Sequence, residues 1–113
     1  MNIAIIPARQ GSKRIKGKNI KNFLGKPIIS YVIKKAVSSK LFNYVIVSTD
    51  SLKIKKISEK YGAKVFFKRP PEISNDKAKT QEVIIHALDW FKKRNTIHNL
   101  LFYLPFVFYT IYV

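Results

Sequence analysis

The residues best suited to chemistry lie close together in one short segment, from Ile6 to Ile20. The segment holds two glycines, one serine and several cationic side chains. Glycine allows backbone N–H groups to approach an anion, a hydroxyl donates a hydrogen bond, and separate cations neutralise separate phosphate groups. The segment therefore suits a polyphosphate, and its candidate ligands are Arg9, Gly11, Ser12, Lys13 and Lys18.

Two common phosphate-binding patterns are absent from this segment. It contains neither the G-x-x-x-x-G-K-[ST] sequence of a P-loop nor the G-x-G-x-x-G sequence of a dinucleotide-binding turn. On residue types alone, a basic surface loop that touches RNA explains the same cations, and this alternative stays open.

Apolar periodicity along the chain predicts the strands and helices that would position this segment. Pro27, Asp50 and Gly62 mark a first helical position, an N-cap and a helix end. The predicted elements are a strand at Ile3–Ile6, a helix from Pro27, a strand at Tyr44–Ser48, a helix from Asp50 to Gly62, a strand at Lys64–Phe67, a loop at Arg69–Glu72 and a helix at Thr80–Lys93.

This order of elements predicts an α/β fold with a parallel sheet and right-handed crossovers. In such sheets, ligands bind beyond the carboxyl ends of the strands. The loop after the first strand, Asp50 and the loop that begins at Arg69 each follow a predicted strand. We therefore expect them to meet at that edge of the sheet.

Length and composition limit the classes of protein. The chain has 113 residues, enough for one domain, and 47% of them are hydrophobic, enough for a packed core. It lacks cysteine, which excludes a disulfide scaffold, a thiolate nucleophile and zinc held by cysteine. The N-terminus lacks the features of a signal peptide, so we expect a cytoplasmic protein. The net charge of +16 attracts phosphate-bearing partners, although lysines on solvated helix faces explain it equally well.

The composition changes after Arg94, because residues 95–113 contain no Lys, Arg, Asp or Glu. We therefore expect a domain at residues 1–94 and an atypical apolar tail at residues 95–113, as a truncated or frameshifted gene product would carry. The apolar run from Leu100 to Val113 is short of the roughly 20 residues of a membrane span. A fourth strand would account for its first half, and the second half has no visible partner.

The chain contains four ordered blocks of sequence: Pro-Ala-Arg-x-x-Ser-Lys followed by Lys-Asn within residues 7–19, Gly-Lys-Pro-Ile at residues 25–28, Val-Ser-Thr-Asp at residues 47–50, and Arg-Pro-x-Glu-Ile-Ser-x-Asp at residues 69–76. Together they resemble the acylneuraminate (CMP-sialic acid) cytidylyltransferases. The runs from Ser12 to Ile15 and from Asn19 to Phe23 are most similar to the pseudaminic acid branch of that family. The resemblance implies a Rossmann-like nucleotidyltransferase, whose mostly parallel sheet is flanked by helices and which is truncated in this chain.

The resemblance also implies an activity and a set of functional residues. Such enzymes bind CTP and transfer CMP to a nonulosonic acid, pseudaminic or sialic acid, with Mg²⁺ and with release of pyrophosphate. Arg9 and Lys18 would act in catalysis by stabilising the departing pyrophosphate. The residues implied to bind the nucleotide are Ala8, Arg9, Gly11, Ser12, Lys13, Lys18, Asn19 and Arg69. Among these, the Ala8 backbone and Asn19 would contact the nucleoside, and Arg69 would lie against the cytidine.

Other side chains have plainer explanations. Asp50 is expected to cap a helix rather than to bind a metal, His86 to be structural, and Glu72 and Asp76 to fix a loop. The family's Mg²⁺ ligands and its dimerisation arm come later in longer members, and no acidic residue follows Asp89 here. We therefore expect no metal site in this chain, a missing arm of the family's homodimer, weak CTP binding and no catalysis.

The competing function is a small basic nucleic-acid-binding protein. Such proteins interleave aromatic rings with their cations, and the segment from Arg9 to Asn22 contains no aromatic residue. We therefore expect CTP and the acidic sugar as partners, and neither nucleic acid nor a membrane.

Overall fold

The chain folds around a small parallel sheet, as seen in a computed structural model that describes residues 2–11, 20–94 and 107–110. The strands are β1 (Asn2–Pro7), β2 (Asn22–Phe23), β3 (Lys26–Pro27), β4 (Tyr44–Ser48) and β5 (Val107–Thr110). The helices are α1 (Ile28–Ser38), α2 (Leu52–Lys60) and α3 (Thr80–Arg94), with a 3-10 turn at Pro71–Ile73 between α2 and α3.

β1 is the central strand of a three-stranded parallel sheet in the order β4-β1-β5. Its four residues from Ile3 to Ile6 are at most 1% exposed, so both faces of the strand are covered. Ala4 and Ile6 belong to a core that includes residues of α1 and α2. Ile3 and Ile5 belong to a second core that includes residues of α3. Helices therefore cover both faces of the sheet, as the predicted α/β fold requires.

The segment after α2 runs parallel to β4 on the side away from β1, but it is not a regular strand. It meets β4 at two isolated bridges, Ile46 with Lys64 and Thr49 with Lys68. Between these bridges β4 advances by three residues and the segment by four, so one extra residue bulges out of the pairing. The prediction of a strand at Lys64–Phe67 is therefore correct in position and direction, but wrong in its regular pairing.

The bulge turns two consecutive aromatic side chains toward the same core. Phe66 stacks on Trp90 of α3 with ring centroids 5.0 Å apart, and Phe67 meets His86 of α3 edge-on at 4.8 Å. In a regular strand, neighbouring side chains point to opposite faces. The extra residue thus allows a short edge segment to pack two rings against α3.

A tight hairpin leads the chain into α1. β2 and β3 pair in antiparallel fashion around Leu24 and Gly25, whose φ angles of 50° and 83° are those of a two-residue hairpin turn. Pro27 is the N-cap of α1 rather than its first residue as predicted, because it is still paired with Asn22 in the hairpin.

α2 begins at a serine cap and ends at a glycine. The Ser51 hydroxyl accepts a hydrogen bond from the Ile54 N–H at 3.2 Å, so the prediction of Asp50 as the cap is wrong. Asp50 is engaged elsewhere, since its carboxylate accepts the Gln10 N–H. Gly62 follows the last turn with a φ of 103°, and its prediction as the helix end is confirmed.

β5 lies within the apolar tail and pairs in parallel with β1, with Phe108 opposite Ile3. The expectation that the second half of the apolar run has no partner is therefore wrong, because β1 has a second edge on the side away from β4. The strand expected in the first half falls among residues 95–106, which lie outside the described residues. The domain boundary at residue 94 stays a prediction. Within the described part of the chain, no helix combines the length and the apolar character needed to cross a membrane.

Removing the cap of α2 should destabilise the fold. We expect Ser51→Ala to lower the free energy of unfolding by about 1 kcal/mol, because the Ile54 N–H loses its acceptor. Ser51→Thr keeps the hydroxyl and should stay within about 0.5 kcal/mol of the parent protein. Denaturant unfolding followed by circular dichroism measures both changes, and equal losses in the two variants would contradict the cap.

Candidate functional site

Two loops are tied to the end of β4 by backbone hydrogen bonds. The Ala8 N–H, just after β1, donates to the Ser48 carbonyl at 2.9 Å. The Arg69 N–H donates to the Thr49 carbonyl, also at 2.9 Å. The loop after β1 and the loop that begins at Arg69 therefore meet at the carboxyl edge of the sheet, where the sequence places the candidate site.

Asp50 holds the loop after β1 at a further point. Its half-buried carboxylate accepts a hydrogen bond from the Gln10 N–H at 2.7 Å. A carboxylate that accepts a backbone N–H forms a charge-assisted bond, which is stronger than one between neutral groups. The start of the candidate phosphate loop is thus anchored at two successive places, Ala8 and Gln10.

Arg69 is a buried cation committed to protein acceptors. Its side chain is among the least accessible of the charged groups, with the whole residue 3% exposed. The guanidinium donates to the Ser48 hydroxyl at 3.1 Å, to the Ser48 carbonyl at 2.7 Å and to the Ile73 carbonyl at 3.3 Å. Arg69 therefore joins β4 to the 3-10 turn, and its expected contact with cytidine stays a prediction.

The charge of Arg69 is balanced by its neighbours. Burial is the largest effect that lowers the pKa of Arg69, the negative charge of Asp50 raises it, and the positive charge of Arg9 lowers it further. The two arginines are thus close enough to repel each other, and a carboxylate beside them offsets part of that repulsion.

Arg9 forms an ion pair with Asp76. The Arg9 Nη2 donates to Asp76 Oδ1, and the two side chains are 26% and 31% exposed. Asp76 lies just beyond the 3-10 turn, so this contact connects the loop after β1 to the loop that Arg69 also anchors. Asp76 was expected to fix a loop, and the residue that it binds is Arg9.

Gly11 lies beside this ion pair. A Cβ atom placed on Gly11 would lie 3.5 Å from Arg9 Nη1, which is ordinary van der Waals contact. Among the described residues, space alone therefore does not demand glycine at this position, and its expected close approach to an anion stays a prediction. The other expected ligands of the phosphates and nucleoside lie outside the described residues, and they are Ser12, Lys13, Lys18 and Asn19.

A cavity of about 360 Å³ opens next to Asp50, between the start of α2 and the bulged edge segment. Cavities of this size accommodate small ligands. Asp50 contributes a negative charge to its lining, and Lys55 and Lys68 contribute positive charges. The cavity adjoins the residue that anchors the phosphate loop.

His86 packs behind this edge rather than in an open cleft. Its ring meets Phe67, and its Nδ1 is buried without a hydrogen-bond partner among the described residues. Burial is the main cause that lowers the pKa of His86 below 6.5, followed by the positive charge of Arg69, whereas Asp89 raises it. Burial and the positive charge of Arg69 therefore both favour the uncharged imidazole.

The described residues do not form a metal site. Within residues 2–11, 20–94 and 107–110, no group of three His, Cys, Asp or Glu side chains is close enough to hold a metal ion. The two nearby carboxylates, Asp50 and Asp76, are bonded to Gln10 and Arg9 instead.

The sequence did not indicate that Asp50 and Asp76 bind the phosphate loop, the segment after β1 that contains Arg9 and Gln10. Their partners lie 40 and 67 residues away along the chain, so spacing alone gives no indication of them. The signal available was position, since both carboxylates follow predicted strands and must lie near the edge that the loop occupies.

This chain is similar to cytidylyltransferases over most of its length. The family model for cytidylyltransferases matches residues 3–108. Pseudaminic acid cytidylyltransferase from Campylobacter jejuni (serotype O:2) is 45% identical over 98 residues, which are 87% of this chain and 42% of that protein. N-acylneuraminate cytidylyltransferase from Escherichia coli O18:K1:H7 is 49% identical over 86 residues, which are 76% of this chain and 20% of that protein.

A solved structure shares the fold. CMP:2-keto-3-deoxy-manno-octonic acid synthetase complexed with CTP superposes with a TM-score of 0.66 and 27% identity, covering 79% of this chain and 35% of that one. The chain therefore spans less than half the length of these relatives.

The lowered pKa of His86 predicts a loss of stability in mild acid. Because its pKa in the folded state lies below the ordinary value of 6.5, the unfolded chain takes up the proton first as the pH falls. We expect the free energy of unfolding to decrease as the pH falls through 6.5, and His86→Gln to flatten that decrease. Urea unfolding between about pH 5.5 and pH 7.5 measures it, since most carboxylates titrate below this range. His98 is present in both proteins, so an identical pH dependence would assign the effect to another group.

Proposed function

This chain belongs to the cytidylyltransferase family, and from that premise we propose that it binds CTP at the carboxyl edge of its sheet. The resemblance to acylneuraminate and pseudaminic acid cytidylyltransferases and the Rossmann-like nucleotidyltransferase fold are both confirmed.

The observation that carries the proposal is the anchoring of the loop after β1. Two hydrogen bonds, from Ala8 to Ser48 and from Gln10 to Asp50, hold the start of a loop that continues into Lys13 and Lys18. Anchoring the described start of the loop, residues 8–11, lowers the conformational entropy that binding a polyphosphate would otherwise remove there. Parallel sheets bind nucleotides at this edge, and the solved relative of the same fold is complexed with CTP.

The proposed roles follow from the chemistry of each group. Arg9 and Lys18 stabilise charge on the β- and γ-phosphates, which become pyrophosphate when the α-phosphate is attacked in line. Because the Ala8 N–H already donates to Ser48, its proposed contact with the nucleoside uses the Ala8 carbonyl. The remaining triphosphate and nucleoside contacts are those proposed for Gly11, Ser12, Lys13 and Asn19.

Arg69 contributes to nucleotide binding through the shape of the site. Its guanidinium is bonded to Ser48 and to Ile73, so it supports the wall against which we propose that the cytidine lies. Truncating Arg69 would remove its hydrogen bonds to β4 and to the 3-10 turn. Its contribution to cytidine recognition is therefore coupled to the position of that turn.

We further propose that the whole protein transfers CMP from CTP to a nonulosonic acid, pseudaminic or sialic acid, with release of pyrophosphate. The names of the relatives at 45% and 49% identity support that substrate class. The family's homodimer and a cytoplasmic location belong to the same proposal. A divalent cation, proposed to be Mg²⁺, would offset phosphate charge when bound. The described residues do not fit a site for it.

Nucleic-acid binding favours aromatic rings interleaved with cations, and one such group lies away from the phosphate loop. The ammonium groups of Lys34 and Lys60 lie over the Tyr61 ring, 5.8 and 5.7 Å from its centroid. Tyr61 is the C-cap of α2, at the opposite end of that helix from Ser51. This cluster of a ring and two cations is far along α2 from the candidate site, and it provides a matched control for the test that follows.

CTP should protect the fold against heat through the phosphate loop. At a concentration 100 times its Kd, CTP should add about 2.7 kcal/mol to the free energy of unfolding, visible as a higher Tm. Lys18→Ala and Arg9→Ala should remove most of that rise, whereas Lys60→Ala should keep it. The measurement is thermal unfolding with CTP or with sulfate at equal ionic strength. Equal protection by sulfate, or equal loss in Lys60→Ala, would favour a nonspecific basic surface over a CTP site.

A further inference from the structure

We propose that Asp50 and Asp76 form an acidic clamp that presets the phosphate loop for its nucleotide, each acting as a positioning residue rather than as a ligand of phosphate or metal. The inference rests on the proposed CTP site. It adds Asp50 and Asp76 to that site. We expect these two anionic residues to strengthen the binding of CTP, although CTP is itself an anion.

In this clamp, two carboxylates hold two consecutive residues of the loop after β1. Asp76 bonds the side chain of Arg9, and Asp50 bonds the backbone N–H of Gln10 at 2.7 Å. The two carboxylates come from different parts of the chain, Asp50 two residues after β4 and Asp76 three residues after the 3-10 turn. The loop is therefore held from both flanks of the carboxyl edge.

Asp76 orients the guanidinium of Arg9. It contacts Nη2, whereas Nη1 lies beside Gly11, at the point where the loop continues toward Ser12. A free arginine side chain samples many rotamers, whose entropy a ligand would otherwise have to remove. An ion pair with side chains 26% and 31% exposed adds little to stability because solvent screens it. Its main effect is thus on the direction of the guanidinium.

The negative charges of the clamp do not outweigh the cations around them. Each carboxylate already has a hydrogen-bonded partner, and the loop from Arg9 to Lys18 carries five cationic side chains and no acidic one. Asp50 also offsets the charge of the buried Arg69, whose pKa it raises while Arg9 lowers it. Without the two carboxylates, the repulsion between the two arginines would no longer be offset. The loop would keep its backbone bond from Ala8 to Ser48 but lose its anchors at Arg9 and Gln10.

The Asp76 half of the clamp is tested by a double-mutant cycle on the 113-residue chain. Isothermal titration with CTP gives the Kd of the parent, Asp76→Ala, Arg9→Ala and the double variant. Asp76→Ala should raise the Kd roughly 3- to 10-fold, the cost of ordering one side chain on binding. The double variant should match Arg9→Ala, because Asp76 acts through Arg9. Glu59→Ala removes an exposed carboxylate of α2 and should leave the Kd unchanged.

The Asp50 half is tested by the conservative variant. Asp50→Asn keeps an oxygen that accepts the Gln10 N–H, whereas Asp50→Ala removes it. We therefore expect the Kd for CTP to rise more in Asp50→Ala than in Asp50→Asn, with circular dichroism confirming that both variants are folded. If Asp50→Ala does not fold, Asp50→Asn alone decides, and a Kd more than about tenfold above the parent, 1.4 kcal/mol, would contradict the backbone role.

The other possible results of these titrations also test the clamp. Tighter CTP binding by Asp76→Ala would show that Asp76 competes with the nucleotide, and an equal loss in the Arg9→Ala background would show a merely structural role; either overturns the clamp. Asp76→Asn replaces Asp76→Ala if the latter does not fold. A parent protein that binds no CTP overturns the proposed function and the clamp with it. A parent that binds CTP while both aspartate variants bind equally well overturns the clamp alone.

Discussion

β1 and β4 pair over five consecutive residues, from Ile3 opposite Tyr44 to Pro7 opposite Ser48. Both faces of β1 are buried, so a slip of one residue would exchange the side chains that the two cores receive, and the register is therefore strongly specified. This register places the Ala8 N–H at the Ser48 carbonyl and brings Gln10 within reach of Asp50. The position of the phosphate loop is a consequence of how the apolar residues of β1 pack.

Ser48 is the point at which the other half of the site joins this frame. Its carbonyl and hydroxyl both accept from the Arg69 guanidinium, which also reaches the 3-10 turn at Ile73. Burying a guanidinium costs several kcal/mol unless its donors are satisfied and its charge is offset, and Asp50 supplies the offset. The one-residue bulge between the two bridges to β4 determines where the edge segment ends. It therefore also determines the position of Arg69, the next residue.

Local patterns predicted most of the fold and the identity of the loop, because apolar runs, helical periodicity and a glycine with positive φ such as Gly62 act over a few residues. The failures are non-local. Asp50 and Ser51 are both good N-caps, and the choice between them depends on the Gln10 N–H, 40 residues away. The bulge and the place of β5 depend on pairing partners elsewhere in the sheet. The partners of Asp50 and Asp76 escaped prediction for the same reason.

The central claim is that CTP binds at the anchored loop after β1, and amide NMR tests it most directly. Titrating CTP into the ¹⁵N-labelled chain should shift the Gln10 and Gly11 amides saturably, with the Lys60 and Tyr61 amides nearly unchanged. That result would locate the nucleotide at the carboxyl edge of the sheet. Shifts concentrated at Lys60 and Tyr61, with Gln10 and Gly11 unmoved at saturating CTP, would contradict the account and favour a polyanion-binding surface at the end of α2.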